Sequence, residues 1–315
     1  MTAAPHGAAD PPQGPPAHRA LAYRTDGDYA AGVLAFVCEC LAAGGRAMVV
    51  VPEPNLTLLR DEFRRASCDP ATIQYADMAE IGRNPGRILA EMHRFAGDAA
   101  GVPVVFVTEP VWPGRSAAEI AEAFAHESLL SRPINGITAI LCPYDEVGLD
   151  PDVLDRVRRT HPADAVSRDD PAADLTPVPP DAERMAFDDP HDLAELRRRV
   201  AAHGAREGVD GDRLGDLLLA VNELASNTLE HAGPPGLLQV WSDDRSMVCQ
   251  VTDRGRITDP MVGRLPPPVG NLRGRGLWLV HQLCDLVQLR SGPDGTAVRL
   301  HMRRAPDRVP APATA

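Results

Sequence analysis

The chain contains no lysine: all 32 of its basic residues are arginine, set against 44 acidic ones. That absence removes Schiff-base chemistry and the lysine-bearing phosphate loop together, so any phosphate must be met by arginine or by backbone N–H groups. Aromatic residues are scarce, at 4%. No Cys-x-x-Cys pair occurs, and Cys38, Cys40, Cys68, Cys142, Cys249 and Cys284 are scattered. This predicts reduced thiols, mostly in core positions, and a cytoplasmic protein. No apolar run approaches membrane-spanning length. Residues 1–17 are rich in proline, alanine and glycine without a signal peptide's apolar core, which predicts a disordered tail, as does 305–315. A formal net charge of −12 argues against direct contact with nucleic acid or with an anionic membrane.

What is present suits two soluble globular domains: 315 residues, 44% of them hydrophobic and 24% charged. Over 18–161 the pattern alternates helix and strand. Helices are predicted at 28–43, 55–65, 85–95, 116–130 and 151–159, and strands at 47–51, 72–75, 104–108 and 137–142. Repeated βα units predict a mainly parallel sheet covered on both faces, with ligands gathering at the carboxyl ends of its strands. Those ends carry Glu109, Trp112, Tyr144 and Asp145, a candidate small-ligand pocket, although loop caps and half-buried packing aromatics have the same composition. No glycine-rich phosphate loop follows the first strand, so no nucleotide site is read in this half. His126-Glu127 superficially resembles a phosphoacceptor motif, but no pair of long heptad helices follows it, and it reads as an ordinary core or surface pair. The stretches YAAGVLAFV (29–37), EPVWPGR (109–115) and LCPYD (141–145) are similar to the MEDS sensory domain. That resemblance implies a P-loop-ATPase-like fold without a P-loop, acting as a signal receiver. Residues 162–181, carrying proline, aspartate and alanine without periodicity, read as a stiff linker.

The remaining domain, 182–304, centres on NELASNTLEH at 222–231. Asp212 reads as a helix N-cap, and Leu214, Leu217, Leu218, Val221, Leu224, Ala225 and Leu229 then share one apolar face. Glu223 and Asn227, four apart, stack on one side of that helix, with His231 one turn further. An amide oxygen suits Mg²⁺ and a carboxylate one turn away can accept a proton, although polar pairs at this spacing are also common on solvated faces. A strand ending Asp253-Arg-Gly255 follows, then a glycine turn RGRG (273–276) opening an apolar helix, then Gly295-Thr296 starting an alternating strand.

In that order the pieces resemble the nucleotide-binding half of the GHKL ATPases and kinases, and within them the bacterial anti-sigma-factor serine kinases. The resemblance implies a Bergerat-type α/β sandwich with helices on one face of a mixed sheet, and Mg²⁺–ATP bound between helices and lid. Asp253 would accept from the adenine amino group, Thr296 would support it, and Gly255 would admit the base. Gly274 and Gly276 would let the lid turn close on the phosphates, with Arg273 and Arg275 as donors. Asn227 would hold Mg²⁺, and Glu223 would orient or deprotonate the attacking hydroxyl. Two departures stand out: Arg256 replaces the second glycine of Asp-x-Gly-x-Gly, and Ala232 separates His231 from Gly233. The implied function is sequestration of a sigma factor and phosphorylation of a serine on an anti-anti-sigma partner, tuned by the N-terminal domain, with a homodimer left open. The alternatives are an ATP-dependent binding switch without efficient transfer and an atypical histidine kinase.

Overall fold

A computed structural model describes residues 15–99, 101–132, 134, 136–161, 174–267 and 274–304. The chain falls into two compact units, one ending at Ala173 and one beginning at Asp174. Most of each predicted tail, and positions 162–173 of the expected linker, lie outside the described residues.

The first unit runs β1 (Ala17–Tyr23), α1 (Asp26–Ala42), β2 (Arg46–Val51), α2 (Asn55–Arg65), β3 (Ile73–Asp77), α3 (Met78–Ile81), α4 (Ile88–Asp98), β4 (Val104–Thr108), α5 (Ala117–Glu127), β5 (Ala139–Asp145) and α6 (Pro151–Thr160). Its five strands pair in the order β1-β5-β4-β2-β3, every pairing parallel. The apolar runs of β2 and β4 are buried on both faces, as a covered parallel sheet requires. Sequence signals set the helix starts. Thr25 accepts from the Asp28 N–H, and Ser116 forms a reciprocal capping box with Glu119. The helix read over 116–130 closes as α at Glu127 and continues as a 3₁₀ turn, Ser128–Ser131. β1, which no clear alternation announced, starts at Ala17 inside the expected tail. Because β3 and β4 flank β2 on opposite sides, the strand order reverses between β2 and β4. Asn55 and Glu109 sit just beyond those two carboxyl ends.

The second unit runs β6 (Glu183–Phe187), α7 (Asp192–Glu207), α8 (Gly211–Asn227), β7 (Gly236–Ser242), β8 (Ser246–Asp253), α9 (Gly276–Leu283), β9 (Leu286–Gly292) and β10 (Gly295–Arg303). Its sheet order is β6-β7-β8-β10-β9, and all four pairings are antiparallel. This corrects the mixed sheet expected from the resemblance. β8 and β9 do run the same way, joined through α9, but β10 turns back at Gly295 and inserts between them, so no parallel pair touches. Asp212 is likewise not the cap of α8: the helix starts at Gly211 after Asp210, leaving Asp212 as an acid in its first turn.

Leu196 and Val200 of α7, Leu217, Val221 and Leu224 of α8, and Val280 of α9 pack on one face against the strands. On the other face Val178 and Ala182 cover Trp241 and Val248. Arg299 fixes the covering segment by donating to Thr176 Oγ1 and to the Thr176 carbonyl, both at 2.8 Å. From Asp174 onward, therefore, the stretch read as linker packs on the sheet, because Trp241 and Val248 leave an apolar patch that proline and valine can cover.

Candidate functional site

Glu223 and Asn227 occupy the last turns of α8, both half-buried. The first residue of α9, Gly276, comes up against the pair. A Cβ at Gly276 would lie 2.9 Å from Glu223 Oε2 and 3.1 Å from Asn227 Nδ2. A side chain at this position would displace the ends of the acid and the amide, so glycine lets the N-terminus of α9 lie against both as they stand. Beyond Asn227 the helix widens into a π-helical turn, Thr228–Ala232, so the exposed His231 leaves the α-helical register expected for it.

That wider turn sets the fully buried Thr228 over Asp253. Its hydroxyl lies 2.9 Å from Asp253 Oδ2 and 3.1 Å from the Leu224 carbonyl, and the charged, nearer acceptor takes the proton. Asp253 Oδ1 accepts from the Gly255 N–H at 2.8 Å. A Cβ at Gly255 would stand 2.6 Å from that of Ala232, so this glycine admits the end of the π-turn.

Thr296 pairs with Asp253 across β10 and β8 and with Ser291 across β10 and β9. Its hydroxyl donates to the Gly255 carbonyl at 2.8 Å. The Ser291–Thr296 hydrogen bond, 2.7 Å, must therefore be donated by Ser291, which itself accepts from the Ile257 N–H at 2.8 Å. Thr296 and Ser291 thus clamp the loop after β8, and the Thr296 proton is committed to the backbone.

A cavity of about 290 Å³ opens between these elements, near the lower end of small-molecule sites. Asn227, His231, Asp253, Arg256 and Thr296 give it polar walls, and Ala232, Ile257, Val262 and Leu277 apolar ones, with Gly255, Gly274 and Gly276 between. Glu223 is not among the described residues that line the cavity, and its carboxylate lies against Gly276, which does. Gly274 has φ +80° and Gly263 φ +76°, conformations that favour glycine. A Cβ on Gly263 would meet that of Leu277 at 2.7 Å, so the turn after β8 lies directly on α9. Arg256 and Arg275 are exposed. Arg273 lies outside the described residues. Sequence reasoning passed over Thr228, although a hydroxyl directly after Asn227 was visible, and Ser291, which sits on a strand it did not read.

If Asp253 has the adenine role that the resemblance implies, its replacement by asparagine is expected to weaken adenine nucleotide binding by roughly ten- to a hundredfold, about 1–3 kcal/mol, because an amide presents a donor where acceptors are in use. Calorimetric titration of ATP into the variant is the check; wild-type affinity would place the base elsewhere.

In the first unit the four residues read as a small-ligand pocket face different partners. Glu109 is buried and accepts from Tyr23 at 3.0 Å, Tyr29 at 3.1 Å and Asn55 at 3.2 and 3.0 Å. Trp112 stacks under Arg115, 4.2 Å from guanidinium carbon to ring centre. Tyr144 is fully buried and donates to Glu127 Oε1. Asp145 caps its own loop, accepting from the Val147 and Gly148 N–H groups at 2.8 and 2.9 Å. Burial pushes the Glu109 carboxyl up to about 7 from an ordinary 4.5, despite its donors. The folded state then binds a proton that the unfolded state has released, so the Glu109 contribution to stability is fully present below pH 4.5 and is lost as pH rises through 7. Between those two values wild type should lose on the order of 3 kcal/mol relative to Glu109→Gln in denaturant unfolding. Equal slopes for the two proteins would show that Glu109 titrates normally.

Two family models match the chain: the histidine kinase-like ATPase domain over residues 187–302, and the MEDS domain (methanogen/methylotroph, DcmR sensory domain) over residues 17–162. Among solved structures, the RsbU and RsbW domains of Rv1364c from Mycobacterium tuberculosis match at 18% identity and a TM-score of 0.30, over 38% of this chain and 32% of that one. The chain thus spans about a third of that structure's length. No curated protein matches the chain.

Proposed function

We propose that this protein, a MEDS sensory domain followed by a histidine kinase-like ATPase domain, binds Mg²⁺–ATP in the second unit and acts as an anti-sigma-factor serine kinase. The observation that carries the reading is the approach of Gly276 to Glu223 and Asn227, beside a cavity that Asp253 also lines. A backbone with no side chain, at the start of a helix and against an amide, is what a phosphate chain needs on one side. Among the described cavity residues, Asp253 is the carboxylate, suited to an adenine amino group. Two of its lone pairs are used by Thr228 and Gly255, which leaves capacity for the donor that distinguishes adenine from guanine.

Asn227 is the residue suited to hold Mg²⁺, which when bound neutralises charge on the transferring phosphate. The N–H groups opening α9, with Arg273 and Arg275, supply donors to the phosphates. Glu223, one turn before Asn227, accepts the proton of the attacking serine. Sequestration of a sigma factor uses the domain surface, and the phosphorylated serine belongs to an anti-anti-sigma partner. The N-terminal domain tunes both, in the cytoplasm. A binding switch without efficient transfer is the second reading, favoured by Arg256, which brings a long cationic side chain to the cavity where the family pattern has glycine.

Incubating the full-length protein with γ-labelled ATP, Mg²⁺ and candidate sigma and anti-anti-sigma proteins tests both. Phosphoserine on the partner is the expected result. An ATP-dependent complex without transfer would establish the switch, and label on a histidine of the chain itself would overturn both readings.

A further inference from the structure

We propose that His18, Glu127, Cys142 and His161 form a metal site in the first unit that takes one divalent transition-metal ion, with zinc the best fit to the donor set. The inference rests on the first unit alone and stands apart from the nucleotide reading of the second. One ligand atom from each of the four residues lies within 4.8 Å of all the others. His18 Nε2 is 3.2 Å from Cys142 Sγ and 3.1 Å from His161 Nε2. Around a tetrahedral zinc, with bonds of about 2.0–2.3 Å, neighbouring ligand atoms stand roughly 3.3–3.6 Å apart. Those two pairs need open by only a few tenths of an ångström, and the remaining pairs, within 4.8 Å, would draw in around the ion. Its members come from β1, the end of α5, the middle of β5 and the cap of α6, so the fold itself converges them.

The surroundings are those of ligands held in place. His161 Nδ1 lies 3.3 Å from the Val157 carbonyl and 3.1 Å from the Thr160 hydroxyl, so a proton on Nδ1 has acceptors at hand and Nε2 can present its lone pair to the cluster. A ring N–H donated to a backbone carbonyl is the usual support of a metal-bound histidine. Tyr144 donates to Glu127 Oε1, while Glu127 Oε2 is enclosed and meets no N–H or O–H donor. Two imidazole nitrogens and a thiolate favour zinc and its neighbours over magnesium or calcium. A dication with one carboxylate, one thiolate and two neutral imidazoles is also electrically neutral, which suits a site whose Glu127 and Cys142 are fully buried.

Full-length protein stripped with chelator and then dialysed should take up one Zn²⁺ per chain in competition with a chromophoric chelator. With Co²⁺ it should show a near-ultraviolet thiolate charge-transfer band and the strong visible bands of four-coordination. Tyr144→Phe should keep the band and weaken uptake by about 10–100-fold. Cys142→Ser should lose the band, and His161→Ala should weaken uptake by more than Tyr144→Phe does. If Cys142→Ser fails to fold, judged by circular dichroism, His161→Ala decides, since it is half-buried at a helix end. Wild-type protein that takes up no metal against the chelator, a cobalt spectrum without the thiolate band, or wild-type uptake by His161→Ala would overturn the proposal and leave a hydrogen-bonded core cluster.

Discussion

Glu223→Gln is expected to lower serine phosphorylation by about 10²–10⁴-fold while leaving ATP affinity within a few-fold of wild type. Glutamine keeps the shape of the side chain, and the carboxylate lies against Gly276 and is not among the described groups that line the cavity, so binding loses little. What would disappear is the proposed proton acceptor, one turn before the amide proposed to hold the metal. On the proposed reading the sigma-factor complex should survive the substitution, because sequestration would use the surface of the domain. Steady-state transfer with a serine-bearing partner, measured beside equilibrium ATP binding, separates the two quantities. Transfer at the wild-type rate would remove Glu223 from the chemistry, and a parallel loss of affinity would make it a structural support for α9.

Asn227→Ala is expected to abolish the Mg²⁺-dependent part of ATP binding. In the proposed site the amide would supply the hard oxygen for the cation, and its alanine replacement would leave the phosphates with arginine and backbone donors only. Titration of ATP with Mg²⁺ and with EDTA gives the difference, which should collapse in the variant. Gly276→Ala is the companion: its Cβ would press on Glu223 Oε2 and Asn227 Nδ2 together, so it should impair binding and transfer at once. A misplacement of about 1 Å in such a constellation can cost on the order of 10²-fold. A chain truncated after Asp181 that still bound ATP normally would overturn the assignment to the second unit.

Arg256 decides between kinase and switch. Its Cα belongs to a loop held by Thr296 and Ser291, so the loop's path does not depend on the missing glycine. Arg256→Gly is the direct comparison: faster transfer with unchanged partner binding would show that the arginine restrains closure.

Sequence periodicity by itself determined many of the local elements, though not β1 or β9. The span of α2 and that of β4 were read as observed, because a period of 3.6 or an unbroken run of β-branched and aromatic residues is a property of consecutive residues. Glu223 and Asn227 were placed together for the same reason, since one helix turn separates them. The parallel character of the first sheet followed from the alternation of strand and helix.

Tertiary structure alone decided the rest. β10 inserts between β8 and β9 and turns an expected mixed sheet antiparallel, because hairpin closure at Gly295 competes with the crossover through α9, and only packing settles which neighbour wins. Ser291 reaches Thr296 through that same insertion, across a strand the sequence did not announce. His18, Glu127, Cys142 and His161 are spread over 144 positions, from 18 to 161, with none of the short spacings by which metal ligands are recognised. Their meeting depends on which strands lie side by side: β1 pairs with β5 although three other strands and several helices separate them in the chain, and strand order is set by long-range burial that no local pattern encodes.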